Sequence, residues 1–117
     1  MKLIHLYEAA AVGAGGFAGA VVRHLVVTVT GSTMGIIAVN VAGCLIMGLL
    51  SHNSKFSLFA ATGFLGALTT FSAFSGHAVK LWNAGDAVTA VSFILINVLA
   101  GISAFVLGLY LKAQFTS

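Results

Sequence analysis

One stretch of this 117-residue chain concentrates groups able to do chemistry: Gly63-Phe64-Leu65-Gly66-Ala67-Leu68-Thr69-Thr70-Phe71-Ser72-Ala73-Phe74-Ser75. Thr69, Thr70, Ser72 and Ser75 put four hydroxyls within seven residues. In apolar surroundings such hydroxyls either bond back to carbonyls one turn earlier in an intact helix or mark a place where the helix is interrupted. Gly63 and Gly66 precede them and two of the four are β-branched, so the sequence predicts a helix break near Gly66–Thr69 without proline. A break at membrane depth frees backbone carbonyls, and those are ligands for a cation. Phe71 and Phe74 follow at a spacing that places both rings on one helical face. Their electropositive edges can favour an anion, or the two rings can simply pack.

Three single residues add to this inventory. Asn40, an amide near the middle of an apolar run, offers two N–H donors and one acceptor. It either ties two helices together or faces a passing anion. Arg23 and Glu8 lie fifteen residues apart, roughly 22 Å along a helix, while a bilayer core is about 30 Å thick. A straight helix therefore does not hold both charges in water by flanking the membrane. Arg23 either snorkels to one interface or lines a wet vestibule that would attract anions.

The elements that position these groups are membrane helices. Hydrophobic residues make up 60% of the chain and charged residues 6%, against roughly 45–50% and about 25% in soluble domains. Charges and turn-formers divide the chain into four apolar spans, 3–29, 34–51, 56–82 and 87–111, each close to or above the roughly 20 residues that cross a bilayer as a helix. The apolar runs are continuous and lack the alternation of a β-barrel. The expected architecture is all-α and integral to the membrane, one domain over 1–117 with a broken third helix and multi-pass insertion in the cell inner (plasma) membrane. The first span reads as a helix and not a cleaved leader, because Glu8 interrupts it and it runs past a normal leader length. Lys2, Lys55 and Lys112 fall on one side, with Lys80 and Arg23 on the other; so slight a bias leaves both orientations open. Small residues four apart (Gly15 and Gly19, Ala38 and Ala42, Ala100, Ala104 and Gly108) predict close helix approach.

Several activities are excluded or weakened by the same composition. Glu8 and Asp86 are the only carboxylates, which leaves no acid/base pair and no all-carboxylate metal site, and the spread-out basic residues form no nucleic-acid patch. Nothing remains for a soluble catalytic domain, and an enzyme is not expected. Gly13-Ala14-Gly15-Gly16-Phe17-Ala18 matches a dinucleotide-loop pattern but lacks the preceding strand and the acidic residue about 20 positions on. His5, His24, His52 and His77 show no paired metal spacing, and Cys44 reads as a small apolar packer.

Residues 15–23 (Gly-Gly-Phe-Ala-Gly-Ala-Val-Val-Arg), the glycine-bounded stretch 35–48 around Val39-Asn40, and the run 63–74 ending Thr-Thr-Phe-Ser-Ala-Phe together resemble the small bacterial fluoride channels called Fluc or CrcB. Length and span count extend the resemblance over the whole chain. It implies an antiparallel dual-topology dimer with two fluoride pores, passive export that limits fluoride toxicity, and one structural sodium ion where the broken third helices meet. Position by position, the carbonyls of Gly66 and Thr69 would ligate sodium and Asn40 would donate to fluoride. Phe71 and Phe74 would flank the path, Ser72 and Thr70 would supply hydroxyls, and Arg23 would sit at the vestibule. Fluoride is small and strongly hydrated, so a pore must replace its water with N–H, O–H and ring-edge donors, which is the inventory found here.

One departure concerns the fourth span, where many members carry hydroxyls four and eight residues after an Asn. Counted from Asn97 those places hold Gly101 and Phe105, and Ser103 lies on another face. Some members work as pairs of different chains, so a heterodimer with a related chain stands beside the homodimer. A small multidrug or guanidinium antiporter has similar size and dual topology but needs a proton-exchanging carboxylate in the membrane. Glu8 alone is available for that role, close to a helix end.

Overall fold

The computed structural model describes residues 2–50 and 57–116, and all of its regular elements are helical. They are α1 (Leu3–Thr30), α2 (Ser32–Leu49), α3 (Leu58–Leu65, π-wound), α4 (the single turn Gly66–Leu68), α5 (Phe71–Asn83) and α6 (Ala87–Thr116). Taken together, Leu58–Asn83 forms one span, and with Leu3–Thr30, Ser32–Leu49 and Ala87–Phe115 it makes four helices long and apolar enough to cross a membrane. The expected span limits at 51 and 56, with His52 and Lys55, lie outside the described residues.

The boundaries differ from expectation in instructive places. The α1–α2 connection is Gly31 alone, at φ 89° and ψ 163°, a conformation closed to other L-residues without strain. Ser32 and Thr33 therefore begin α2 instead of forming a loop, and the helix starts two residues before the expected 34. At the other end α6 runs past 111 to Thr116, because Lys112 does not terminate it. Its Nζ instead donates to the Leu50 carbonyl at the end of α2 (3.4 Å). The α5–α6 corner uses Gly85 at φ 82°, and Asp86 Oδ1 accepts the Thr89 N–H to cap α6 (3.1 Å).

The third span is broken, as the hydroxyl cluster suggested, but the glycines are not the hinge. Gly66 keeps helical dihedrals, φ −62° and ψ −34°. The chain turns extended at Thr69 (φ −80°, ψ 150°) and Thr70 (φ −148°, ψ 120°), where β-branched side chains are comfortable. Before the break the helix is π-wound, a rare geometry that clusters at functional sites and that the sequence did not announce.

Glycine makes the packing possible. α1 lies along α3, and α2 lies along α6. A Cβ on Gly15 or Gly19 would collide with the Phe59 or Phe64 carbonyl, so α1 and the π-wound segment touch backbone to backbone. Gly48 and Gly108 mark the same kind of crossing between α2 and α6. Ala38 and Ala42 instead face outward, away from any crossing within the chain. Two small cores result: Ile36, Ala78 and Phe93 on one side, and Val39, Leu65 and Leu68 on the other. Much of the remaining apolar surface, such as Leu99, Ile102 and Val106 of α6, is exposed, as befits a molecule whose solvent is lipid.

Candidate functional site at the broken helix

The break between α4 and α5 sits between those two cores, and Asn40 of α2 holds it. Its Oδ1 accepts the Thr70 N–H (2.8 Å), while its Nδ2 donates to the Thr70 carbonyl (3.3 Å) and to Asn97 Oδ1 of α6 (2.9 Å). The amide thus pairs both main-chain groups of a residue only 7% exposed, groups that the helix no longer satisfies. Asn97 is buried as well and donates from its own Nδ2 to the Phe93 carbonyl (2.8 Å), which fixes its oxygen toward Asn40. Both amide protons of Asn40 are therefore engaged inside the chain.

The hydroxyls divide the work. Thr70 Oγ1 accepts the Ala73 N–H (3.1 Å) as the N-cap of α5, with Ser72 Oγ 3.5 Å from it. Thr69 Oγ1 donates back to the Leu65 carbonyl (3.0 Å) and Ser75 Oγ to the Phe71 carbonyl (2.9 Å), one turn earlier in each case.

The interruption takes helical donors from the carbonyls that precede it. In an unbroken helix the Thr70 N–H would bond the Gly66 carbonyl and the Ala73 N–H would bond the Thr69 carbonyl. Here the first goes to Asn40 and the second to the Thr70 hydroxyl. Gly66 and Thr69 are thereby among the carbonyls that lose their helical donors at the interruption.

A small cavity of about 250 Å³ opens beside the break, lined by Asn40, Cys44, Thr69, Thr70, Phe71 and Asn97 among others. Phe71 is 80% exposed at its edge. From there a line of rings leads along α5: Phe71 to Phe74 (5.6 Å between centroids), Phe74 to the buried Phe93 of α6 (5.5 Å), and Phe93 to the His77 ring, edge-on at 5.0 Å. Near the His77 end lies a second cavity of about 360 Å³ between α1, α2 and α5, lined by Arg23, His24, Ser32, His77 and Lys80. Among its lining residues there is no carboxylate.

Asn40, Thr69, Thr70, Phe71 and Phe74 are thus brought together around one cavity, with Ser72 in contact with Thr70. Arg23 lies apart, in the basic cavity. Glu8 lines neither; it stands in the second turn of α1 against Leu3, Ile4, Ala11 and Leu58. Gly101 is buried beside Cys44, where an added Cβ would meet Sγ at an ordinary 3.6 Å. Asn97 and His77 were missed as site residues by sequence reasoning. For Asn97 a signal existed, since two mid-span amides on neighbouring helices have only each other or backbone to bond. Among the described residues no group of three or more His, Cys, Asp or Glu side chains could hold a metal.

A family model described as CrcB-like protein, Camphor Resistance (CrcB), matches residues 10–109. The fluoride-specific ion channel FluC of Chelativorans sp. (strain BNC1) is 39% identical over 120 aligned positions, covering 91% of this chain and 96% of the relative. That of Ruminiclostridium cellulolyticum is 35% identical, with 92% and 93% covered. That of Paracoccus denitrificans is 41% identical over 85 positions, 68% of each chain.

Proposed function

The chain belongs to the CrcB-like family and is a multi-pass membrane protein, and from that premise we propose that it is a fluoride-selective channel, not an enzyme, that lets fluoride leave the cell passively. The relatives named as fluoride channels support the ion, and the donor inventory supports the selectivity. Fluoride must exchange its water for N–H, O–H and ring-edge donors. Asn40, Thr70, Phe71 and Phe74 line one cavity, and Ser72 lies against Thr70, so donors of these kinds stand together at the break. The longer Asn40 contact, 3.3 Å to the Thr70 carbonyl, is the donor that yields to the passing anion, while the Asn97 contact holds the amide in place. Arg23 draws anions to the vestibule. No carboxylate stands at mid-span to exchange protons with a substrate, which favours passive movement over coupled export and disfavours an antiporter built on Glu8. Loss of fluoride from loaded liposomes, with chloride retained, tests the assignment.

In this account the working unit is an antiparallel dual-topology homodimer in the inner (plasma) membrane, with a structural sodium ion between the two third spans. A heterodimer with a related chain is the variant that the Gly101 and Phe105 positions would favour. The observation that carries the sodium is the diversion of the Thr70 and Ala73 N–H groups, which takes the helical donors from the Gly66 and Thr69 carbonyls. Two copies about a twofold axis would offer four such oxygens, a donor set suited to a hard cation, whose fixed charge would favour anions nearby. Protein exchanged exhaustively into sodium-free potassium buffer should retain about one sodium per two chains by elemental analysis, because the ion would be buried by its own ligands. Sodium-free protein that remains assembled and conducting would refute the structural ion.

A further inference from the structure

Building on the channel reading, we propose that the cavity between α1, α2 and α5 is an anion-collecting site whose occupancy is set by protonation of His77, with His24 as a second contributor. The cavity is lined by two basic side chains, Arg23 and Lys80, together with both imidazoles and the Ser32 hydroxyl. It also meets the start of α2, which Gly31 caps without any side-chain acceptor, so the electropositive end of an 18-residue helix adds to the field.

The charged and titratable groups facing His77 are few. α1 contributes Arg23 and His24, and α5 contributes Lys80. α2 contributes only hydroxyls, with Thr33 Oγ1 lying 2.6 Å from His77 Nε2. α6 contributes the Phe93 ring, and Asp86 at its start is engaged as a cap. No acidic lining group neutralises a proton taken up by either imidazole.

A proton added there raises the positive charge of a cavity already cationic. That step costs more when the cavity is empty than when a small monovalent anion occupies it. Proton and anion therefore bind with positive coupling, and by linkage each strengthens the other. Thr33 lets the imidazole change state without losing its contact, since a hydroxyl either donates to a neutral ring nitrogen or accepts from a protonated one. The ring also lies edge-on to Phe93, which stacks on Phe74, so the anion waits at the end of the aromatic line that leads to the break. Histidine is the side chain suited to this coupling, because its proton exchanges between about pH 5 and 8.

The test is fluoride current through the whole protein in planar bilayers, at fluoride concentrations below saturation, where neutral hydrogen fluoride leaves no electrical trace. The wild-type current should rise about fivefold between about pH 8 and about pH 6, as one added charge near the ion would produce. His77→Gln should reduce that ratio to less than about twofold, and His24→Gln should reduce it partway. Should His77→Gln fail to assemble, His77→Asn and the His24→Gln ratio decide, both expected to fall below the wild-type ratio. A wild-type current indifferent to pH, or a His77→Gln profile equal to wild type, overturns the anion-collecting site and leaves the channel reading standing. No fluoride current at any pH overturns both.

Discussion

Replacing Asn40 with Asp should lower fluoride conduction by about 100-fold or more. The substitution keeps shape and size but exchanges the N–H₂ group for oxygen. Two attractive contacts, to the Thr70 carbonyl and to Asn97 Oδ1, become oxygen against oxygen, while only the Thr70 N–H still finds an acceptor. The variant also sets a negative charge at mid-span, where one costs about 2.5–3.5 kcal/mol and repels the anion that must pass; about 3 kcal/mol on the barrier is roughly a 100-fold loss. Fluoride efflux from reconstituted vesicles measures it directly. Conduction equal to wild type would show that neither the amide donors nor the clasp on Thr70 matters to the path.

Gly19→Val should leave little folded protein, whereas Gly13→Ala should be nearly silent. A Cβ on Gly19 would overlap the Phe64 carbonyl and lie 3.1 Å from the Leu68 nitrogen, both main-chain atoms that no rotamer change can move. α1 must then separate from the π-wound segment and disturb the turn that leads into the break, at a cost near or above about 3 kcal/mol. At Gly13 a Cβ meets nothing within 4 Å, and the gain in helix propensity is at most about 1 kcal/mol. The yield of monodisperse protein and its thermal unfolding in detergent should separate the pair clearly. Equal stability of the two variants would mean that the α1–α3 contact is not the close one described.

The contrast shows which parts of the molecule the sequence could disclose. Span number follows from the continuous apolar runs, and the break from the crowding of Thr69, Thr70, Ser72 and Ser75, because both are local properties. The position of the hinge was harder. Gly66 has the freedom to bend, yet Thr70 bends because Asn40, thirty residues away, offers it an acceptor and a donor. The Asn40–Asn97 bond joins residues 57 apart and the Thr33–His77 contact residues 44 apart. Periodicity carries no information about such pairs. The π winding of Leu58–Leu65, which lies backbone to backbone against Gly15 and Gly19 of α1, was equally silent. His77 read as an ordinary histidine until the fold set it beside Arg23, His24 and Lys80.

The most direct measurement is ion loss from liposomes containing this chain alone, loaded with fluoride and chloride together and followed with ion-selective electrodes. The account predicts that fluoride leaves rapidly once its charge is compensated by a potassium ionophore, while chloride stays behind by orders of magnitude. Chloride leaving as readily as fluoride, or fluoride retained as in protein-free liposomes, would contradict it.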